Sequence, residues 1–136
     1  MYESTKTIGI YALDRMHSVK VNALAYEENT TLKADDYFKN IIGVTLQADA
    51  TTEIIELEFS ALRAPYVTTK FIHHSQKIIE QKEDGKIIIQ LKVITNLELE
   101  SVILSFGCDV KVLKPLSLKD KMNLIAERMV KCYEKQ

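Results

Sequence analysis

Between residues 53 and 133 the apolar positions of the chain recur at two periods, and the change from one to the other marks the elements. Glu53 to Ser60 alternates, with Ile55, Leu57 and Phe59 on one side and Glu56 and Glu58 on the other, as a strand buried on one face does. A short helix broken near Pro65 follows, since proline fits a first helical position but not an interior. Lys77 to Glu83 and Lys86 to Ile94 flank Asp84-Gly85, a dipeptide suited to the positive φ of a hairpin turn. Ile87, Ile89, Leu91 and Val93 mark the buried face of the second arm. The first arm admits two registers: a two-residue loop sets Glu80 and Lys82 on that face, whereas a bulged three-residue loop brings Ile79 there. Thr95-Asn96-Leu97-Glu98 reads as a capping box, followed by Leu99, Val102, Ile103 and Phe106 at helical spacing until Gly107. Cys108 to Leu113 alternates as a last strand that Pro115 ends. Ser117 and Asp120 then cap a long helix with a stripe of Leu118, Met122, Ile125, Met129, Val130 and Tyr133.

Two strand-helix-strand units with right-handed crossovers make a four-stranded antiparallel sheet with two helices on one face. The expected class is therefore α+β, a ferredoxin-like β-α-β-β-α-β domain with an extra C-terminal helix. That last helix is amphipathic and needs a partner surface: the same sheet, the preceding connector, or another protomer.

Upstream the pattern weakens. Residues 23–51 read as a connector with a short helix around Asp35 to Ile42, where Asp35 or Asp36 can cap the start and Gly43 suits a left-handed end. Ile8 to Leu13 and Val19 to Val21 read as strand pieces joined by a turn at Asp14 to His17. A lone apolar strand that runs into a polar turn cannot bury itself, so it is expected to finish a sheet built elsewhere, and the chain reads as a fragment.

Composition narrows the choices. The 136 residues suffice for one compact domain and an appendage, and 46% hydrophobic with 27% charged residues are ordinary globular values. A net charge of −1 gives no global attraction to nucleic acid, so any polyanion site must be a local basic patch. Cys108 and Cys132 lack metal-ligand spacing and read as incidental thiols. No run approaches a membrane span and no leader precedes the body, so the expected location is cytoplasmic and no membrane partner is expected.

Little catalytic chemistry is offered. His73 and His74, if in a strand, point to opposite faces and cannot share a metal. Ser75 and Ser105 lack a nucleophile context, and Leu104-Ser105-Phe106-Gly107 is most simply a helix terminus with Phe106 in the core. The carboxylate pairs Glu56/Glu58 and Glu98/Glu100 are explained as a solvated strand face and as partners of a helix dipole. No enzyme activity and no cofactor are expected. Arg15, beside Asp14 in a tight turn, presents a guanidinium fork suited to phosphate or carboxylate; it reads equally as half of a structural pair. Arg63, Lys70, His73 and Gln76 can form a modest basic rim with Lys77, or stand as scattered surface groups, with His73 shaping the turn before Ser75-Gln76.

Tyr11-Ala12-Leu13-Asp14-Arg15-Met16 with Ser18-Val19-Lys20-Val21 resembles the last strand and exit turn of the WYL domain, an Sm-like barrel of bacterial transcription regulators. Asp36-Tyr37-Phe38 before Gly43, Pro65-Tyr66, His73-x-Ser75-Gln76 and Leu104-Ser105-Phe106-Gly107 resemble the WCX extension that follows it, except that His74 stands where relatives often carry proline. The resemblance implies residues 1–22 as a barrel remnant, 23–51 as connector and 52–136 as extension. It implies the regulatory, effector-sensing and dimerising C-terminal region of a helix-turn-helix regulator, with Arg15 on the sensing surface. The expected partners are a second copy of the chain and a nucleic-acid or nucleotide-like effector, with DNA reached only through a helix-turn-helix domain outside these residues. The alternative is a stand-alone ferredoxin-like small-ligand or protein-binding module.

Overall fold

The computed structural model describes residues 10–26, 28, 30, 33–46 and 49–134. It divides into two units, Met1–Lys33 and Ala34–Gln136.

In the first unit the described residues form one element, a single 3-10 turn at Leu13–Arg15 closed by Met16 N–H on the Leu13 carbonyl (3.2 Å). The expected strands at Ile8 to Leu13 and Val19 to Val21 do not form over Ile10 to Leu13 or over Val19 to Val21, while Ile8 and Gly9 lie outside the described residues. A strand is completed by the ladder it makes with a neighbour, and none of the described residues here supplies one. The turn survives, shifted by one residue toward the N-terminus.

The second unit begins with α1 (Ala34–Phe38), which stops four residues short of the expected end at Ile42. Beyond Phe38 the backbone takes other partners: Ile41 N–H donates to Phe38 O (3.3 Å), three residues back, Asn40 O accepts from Ile94 N–H (2.7 Å) and Ile42 O from the Asn96 side chain (2.8 Å). Gly43, at φ +75°, therefore sits in a bend and not at a helix end.

Four strands, β1 (Glu53–Phe59), β2 (Lys77–Gln81), β3 (Ile87–Val93) and β4 (Val110–Lys114), form one sheet in the order β2-β3-β1-β4, every pair antiparallel. Between them run α2 (Ala64–Thr69) and α3 (Leu97–Ser105), and α4 (Leu116–Tyr133) follows. Ile55, Leu57 and Phe59 of β1 and Ile89, Leu91 and Val93 of β3 are fully buried on one sheet face, against Val67 of α2 and Leu99 and Ile103 of α3. Each contributes about 1.5–3 kcal/mol of apolar burial. Phe106, beyond the end of α3, meets Phe59 edge to face at 5.0 Å. The other face carries Glu56, Glu58 and Gln90, with Lys114 Nζ on Glu56 Oε2 at 3.1 Å and Lys82 paired to Glu58.

The hairpin register is settled by two hydrogen bonds. Lys82 N–H donates to Lys86 O (2.8 Å) and Gly85 N–H to Lys82 O (3.0 Å), so Glu83, Asp84 and Gly85 form a three-residue loop with Gly85 at φ +84°. Contrary to the simple bulged reading, Ile79 does not face the core opposite Ile89. A second irregularity between Ile78 and Glu80 puts Ile78 there instead.

Two expected caps are also relocated. Asn96, not Thr95, caps α3, its Oδ1 accepting from Leu99 N–H (2.9 Å), while the Thr95 hydroxyl donates to Glu53 (3.1 Å). Helix α4 begins at Leu116 behind Pro115 with no side-chain cap, so Ser117 and Asp120 lie inside it. Its first half packs through Leu118, which is buried, and Met122; Met129, Val130 and Tyr133 are exposed.

Candidate functional site

Polar side chains converge on the end of the connector. Residues 39–45 form a strap whose backbone is held from three places on the domain. Lys39 O is bonded by His73 Nε2 (3.0 Å), Asn40 O by Ile94 N–H, and Ile42 O and Thr45 O by the Asn96 amide nitrogen (2.8 and 3.0 Å). Val44 N–H (3.3 Å), Thr45 N–H (3.1 Å) and the Thr45 hydroxyl (2.6 Å) all donate to Glu98 Oε1. Ile41, at the middle, is buried.

The start of α3 explains why these residues serve. Asn96 uses its oxygen as a helix cap, which leaves its two amide hydrogens free for strap carbonyls. Glu98 lies in the first turn, where the helix dipole favours a carboxylate. The Thr45 hydroxyl, followed by backbone N–H donors that include Val44 and Thr45, holds Glu98 below the usual carboxylate range. Gly43 fits because a Cβ there would lie 2.5 Å from Glu98 Cγ, at a φ that side chains rarely adopt. Glu98 Oε2 is buried without a hydrogen-bond partner, so the carboxylate is held entirely through its other oxygen.

The loop between α2 and β2 supplies the opposite end. His73 Nδ1 meets both the Ser75 N–H (3.2 Å) and the Ser75 hydroxyl (2.8 Å), and Nε2 faces Lys39 O (3.0 Å), so the ring is bonded at both nitrogens. Burial, then the neighbouring His74, push the His73 pKa below its ordinary value. Ser75 Oγ accepts from Lys92 N–H (3.0 Å) and so ties the loop to β3. Gln76 is buried, its Oε1 accepting from Ile72 N–H and its Nε2 donating to Val67 O, both at 2.9 Å. His73 and His74 are in a loop, not a strand, so they do not point apart as expected; their rings lie 4.0 Å apart between centroids.

Of the sequence candidates, Lys70, His73 and Gln76 share this loop and Arg63 does not. Arg63 precedes α2 and Lys70 follows it, so six helical residues, about 9 Å of rise, separate them. Arg63 Nε donates to Asp109 Oδ2 (3.1 Å), and the Ser60 hydroxyl donates to Asp109 Oδ1 (2.8 Å). The hydroxyl, then the guanidinium, hold Asp109 below its ordinary range. Lys70 Nζ lies 5.7 Å from the centre of the half-exposed Tyr66 ring. Arg15, in the separate amino-terminal unit, is exposed on its 3-10 turn. Sequence reasoning named Asn96, Glu98 and Gly43 only as parts of helix ends, not as residues of a site. The cap-like spacing signalled the helix start correctly, but a side chain 53 positions away as Glu98's partner leaves no local trace. Glu100, expected as a partner of the helix dipole, does lie in the first turn of α3, where it is buried and bonded to Lys121 of α4 (2.5 Å).

Elsewhere a groove of about 410 Å³ opens between α3, β4 and α4, walled by Leu104, Val110, Met122 and Ala126 with Lys111 and Asn123 among its polar residues. Among the described residues no group of three or more His, Cys, Asp or Glu side chains is placed to hold a metal ion, and no helix is long and apolar enough to cross a membrane.

No curated protein matches the chain. The family description of the WCX domain matches residues 51–130, which spans all four strands, α2, α3 and most of α4. With more than half of its length inside that match, the chain belongs to the WCX domain family.

Proposed function

We propose that this chain is the regulatory C-terminal region of a bacterial helix-turn-helix transcription regulator of the WYL type, with a ferredoxin-like extension as its folded body. The observation that carries the reading is the WCX match over residues 51–130. The sheet order β2-β3-β1-β4, with each crossover passing over one strand, supports the ferredoxin-like assignment. In this reading the extension, working as a homodimer in the cytoplasm, senses a nucleic-acid or nucleotide-like effector and passes its occupancy to DNA-binding heads. The bonded strap gives the domain a firm hold on the chain segment upstream, which suits transmission of that kind. Arg15 is the proposed effector contact, with Arg63, Lys70, His73 and Gln76 as subsidiary candidates. His73 and Gln76 already spend their polar atoms on the fold and Arg63 is paired with Asp109, which makes Arg15 and Lys70 the cations to test first.

The test is binding of short single-stranded oligonucleotides and of nucleotides to the protein joined to the sequence encoded upstream, with and without Arg15→Ala. A tenfold or larger loss in the variant supports Arg15 as an effector contact. Equal affinity removes Arg15 from the site, and no binding by either protein removes the effector class. A second reading, a stand-alone small-ligand module, is favoured by the apolar groove between α3, β4 and α4. Its mark is an apolar ligand whose binding by the 136-residue chain is abolished by Ala126→Trp.

A further inference from the structure

The end of α2 and the residue that follows it leave two large aromatic rings in solvent. Phe71 is 55% exposed and Tyr66 46% exposed, although Ile72 and Phe106 beside them pack against the core. With Lys70, and with Val102, Ser105 and Phe106 of the α3 end, the two rings line a cleft of about 290 Å³. Its walls are fixed from behind. Phe106 is held edge to face on buried Phe59 at 5.0 Å and meets the Tyr66 ring at 6.3 Å. Ile72 N–H donates to Gln76 Oε1, and Gln76 Nε2 donates to Val67 O of α2, both at 2.9 Å, so the loop that carries Phe71 is tied to the helix that carries Tyr66. The cleft is therefore preformed, which spares a ligand the cost of ordering it.

The lining residues define what fits. Exposed ring faces on Tyr66 and Phe71 favour a flat aromatic group that can stack. Lys70 Nζ lies 5.7 Å from the centre of the Tyr66 ring and takes part in none of the ion pairs among the described residues, so its charge can meet an anion at the edge of that ring. Ser105 gives its own hydrogen to Val102 O (2.6 Å), which leaves its oxygen able to accept from a ring N–H. The volume stands at the bottom of the range of about 300–1,000 Å³ usual for ligand sites, so there is room for one ring system.

We propose that the cleft between α2 and α3 binds a small planar aromatic anion, its ring against Tyr66 and Phe71 and its acidic group on Lys70 Nζ. The larger groove between α3, β4 and α4 does not compete for such a ligand. No aromatic side chain lines it, and Asp120 stands there with Lys119, so a flat anion gains neither stacking nor an unopposed charge. A mononucleotide and an aromatic carboxylate share the chemistry that the cleft selects. The choice of the mononucleotide rests on the reading of this chain as an effector sensor; the cleft rests on its own residues, all of which belong to the unit Ala34–Gln136.

The experiment titrates the full 136-residue chain with adenosine monophosphate, adenosine, ribose phosphate and naphthoate, followed by NMR of the Tyr66 and Phe71 ring signals. Adenosine monophosphate should move both rings saturably and bind about tenfold or more tighter than adenosine or ribose phosphate, each of which carries half of the chemistry. Phe71→Ala should weaken it about fivefold or more and Lys70→Gln about tenfold; both positions are exposed, so the variants keep the fold. Naphthoate that binds with the same two losses, where the nucleotide does not bind, supports the cleft and removes the nucleotide-like effector. Nucleotide binding that Arg15→Ala weakens and Phe71→Ala does not overturns the cleft and keeps the effector reading. Rings that no probe moves overturn the proposal. So do ring signals that follow protein concentration in place of ligand, the mark of a second copy seated on this face.

Discussion

Residues 10–21 and β1 carry comparable sequence patterns and meet opposite fates. Val19 and Val21 alternate with polar neighbours as Ile55, Leu57 and Phe59 do, yet the first stretch is exposed and holds a 3-10 turn and a Ser18 at φ +56°, while the second is the centre of a sheet. The difference lies in what stands on either side. β1 is flanked by β3 along all seven residues and by β4 from Glu56 to Phe59, so its backbone groups are paired and its apolar face is covered by two helices. Alternation states which face a strand would bury. Only neighbours decide whether the strand exists.

The largest test of that contrast is Leu57→Ala. Leu57 is fully buried between β3, β4 and the helices, and truncation leaves a cavity that close-packed neighbours fill only in part. A loss of about 3 kcal/mol is expected from the denaturation midpoint at unchanged m-value. A loss below about 1 kcal/mol would mean that β1 is no better supported than the amino-terminal stretch.

Asn96→Ala comes next, because it removes three hydrogen bonds from a residue that is 1% exposed. It leaves Leu99 N–H without its cap and two strap carbonyls without donors, for about 2 kcal/mol. Asn96→Asp separates the two roles: the carboxylate restores the cap but cannot donate to Ile42 O or Thr45 O. Amide exchange should therefore show a protected α3 start and an unprotected strap in that variant. Recovery of both would show that the strap does not depend on Asn96.

These sites also show what the sequence could and could not say. The elements from Glu53 onward are legible because their period, turns and breakers are local: Asp84-Gly85 turns the hairpin, Gly107 follows the end of α3, and Pro115 ends β4. The α1 end, the Asn96 cap and the three-residue loop with its second bulge were not, because each is decided by partners far along the chain or by competition between two adequate local choices. Thr95 and Asn96 can both cap; Asn96 wins because its amide can also serve Ile42 and Thr45, whereas a hydroxyl has one hydrogen to give. The candidate cations were easy to name and hard to place. Arg63 and Lys70 fall at opposite ends of α2, and nothing in their spacing said that Arg63 would answer to Asp109.

A smaller effect is expected at Gly43, and it should be confined to the strap. An alanine there must hold φ +75° and press its Cβ on Glu98 Cγ, at a cost of about 1–2 kcal/mol. Exchange of the Val44 and Thr45 amides should accelerate, and a denaturation midpoint that barely moves would show that the strap opens separately from the core. Gly43→Asn tolerates the left-handed backbone better but keeps the clash, so improvement over alanine measures the backbone share. An equal shift of strap and midpoint would join the two regions into one cooperative unit.

The smallest effect belongs to the stretch that looks most like a strand without being one. Val19 and Val21 are 78% and 101% exposed, so Val19→Ala and Val21→Ala should each change the stability of the 136-residue chain by no more than about 0.5 kcal/mol. The same substitutions in a longer protein, where the sequence encoded upstream is proposed to supply barrel strands, should cost about 1 kcal/mol or more, because each valine would then lose a packed, half-buried site. The comparison is made by denaturation of both proteins with both variants. A cost that appears only in the longer protein shows that residues 10–21 are a strand waiting for its neighbours. Equal and negligible costs in both show that the alternation here marks a linker, and the proposed barrel remnant then has no support from stability.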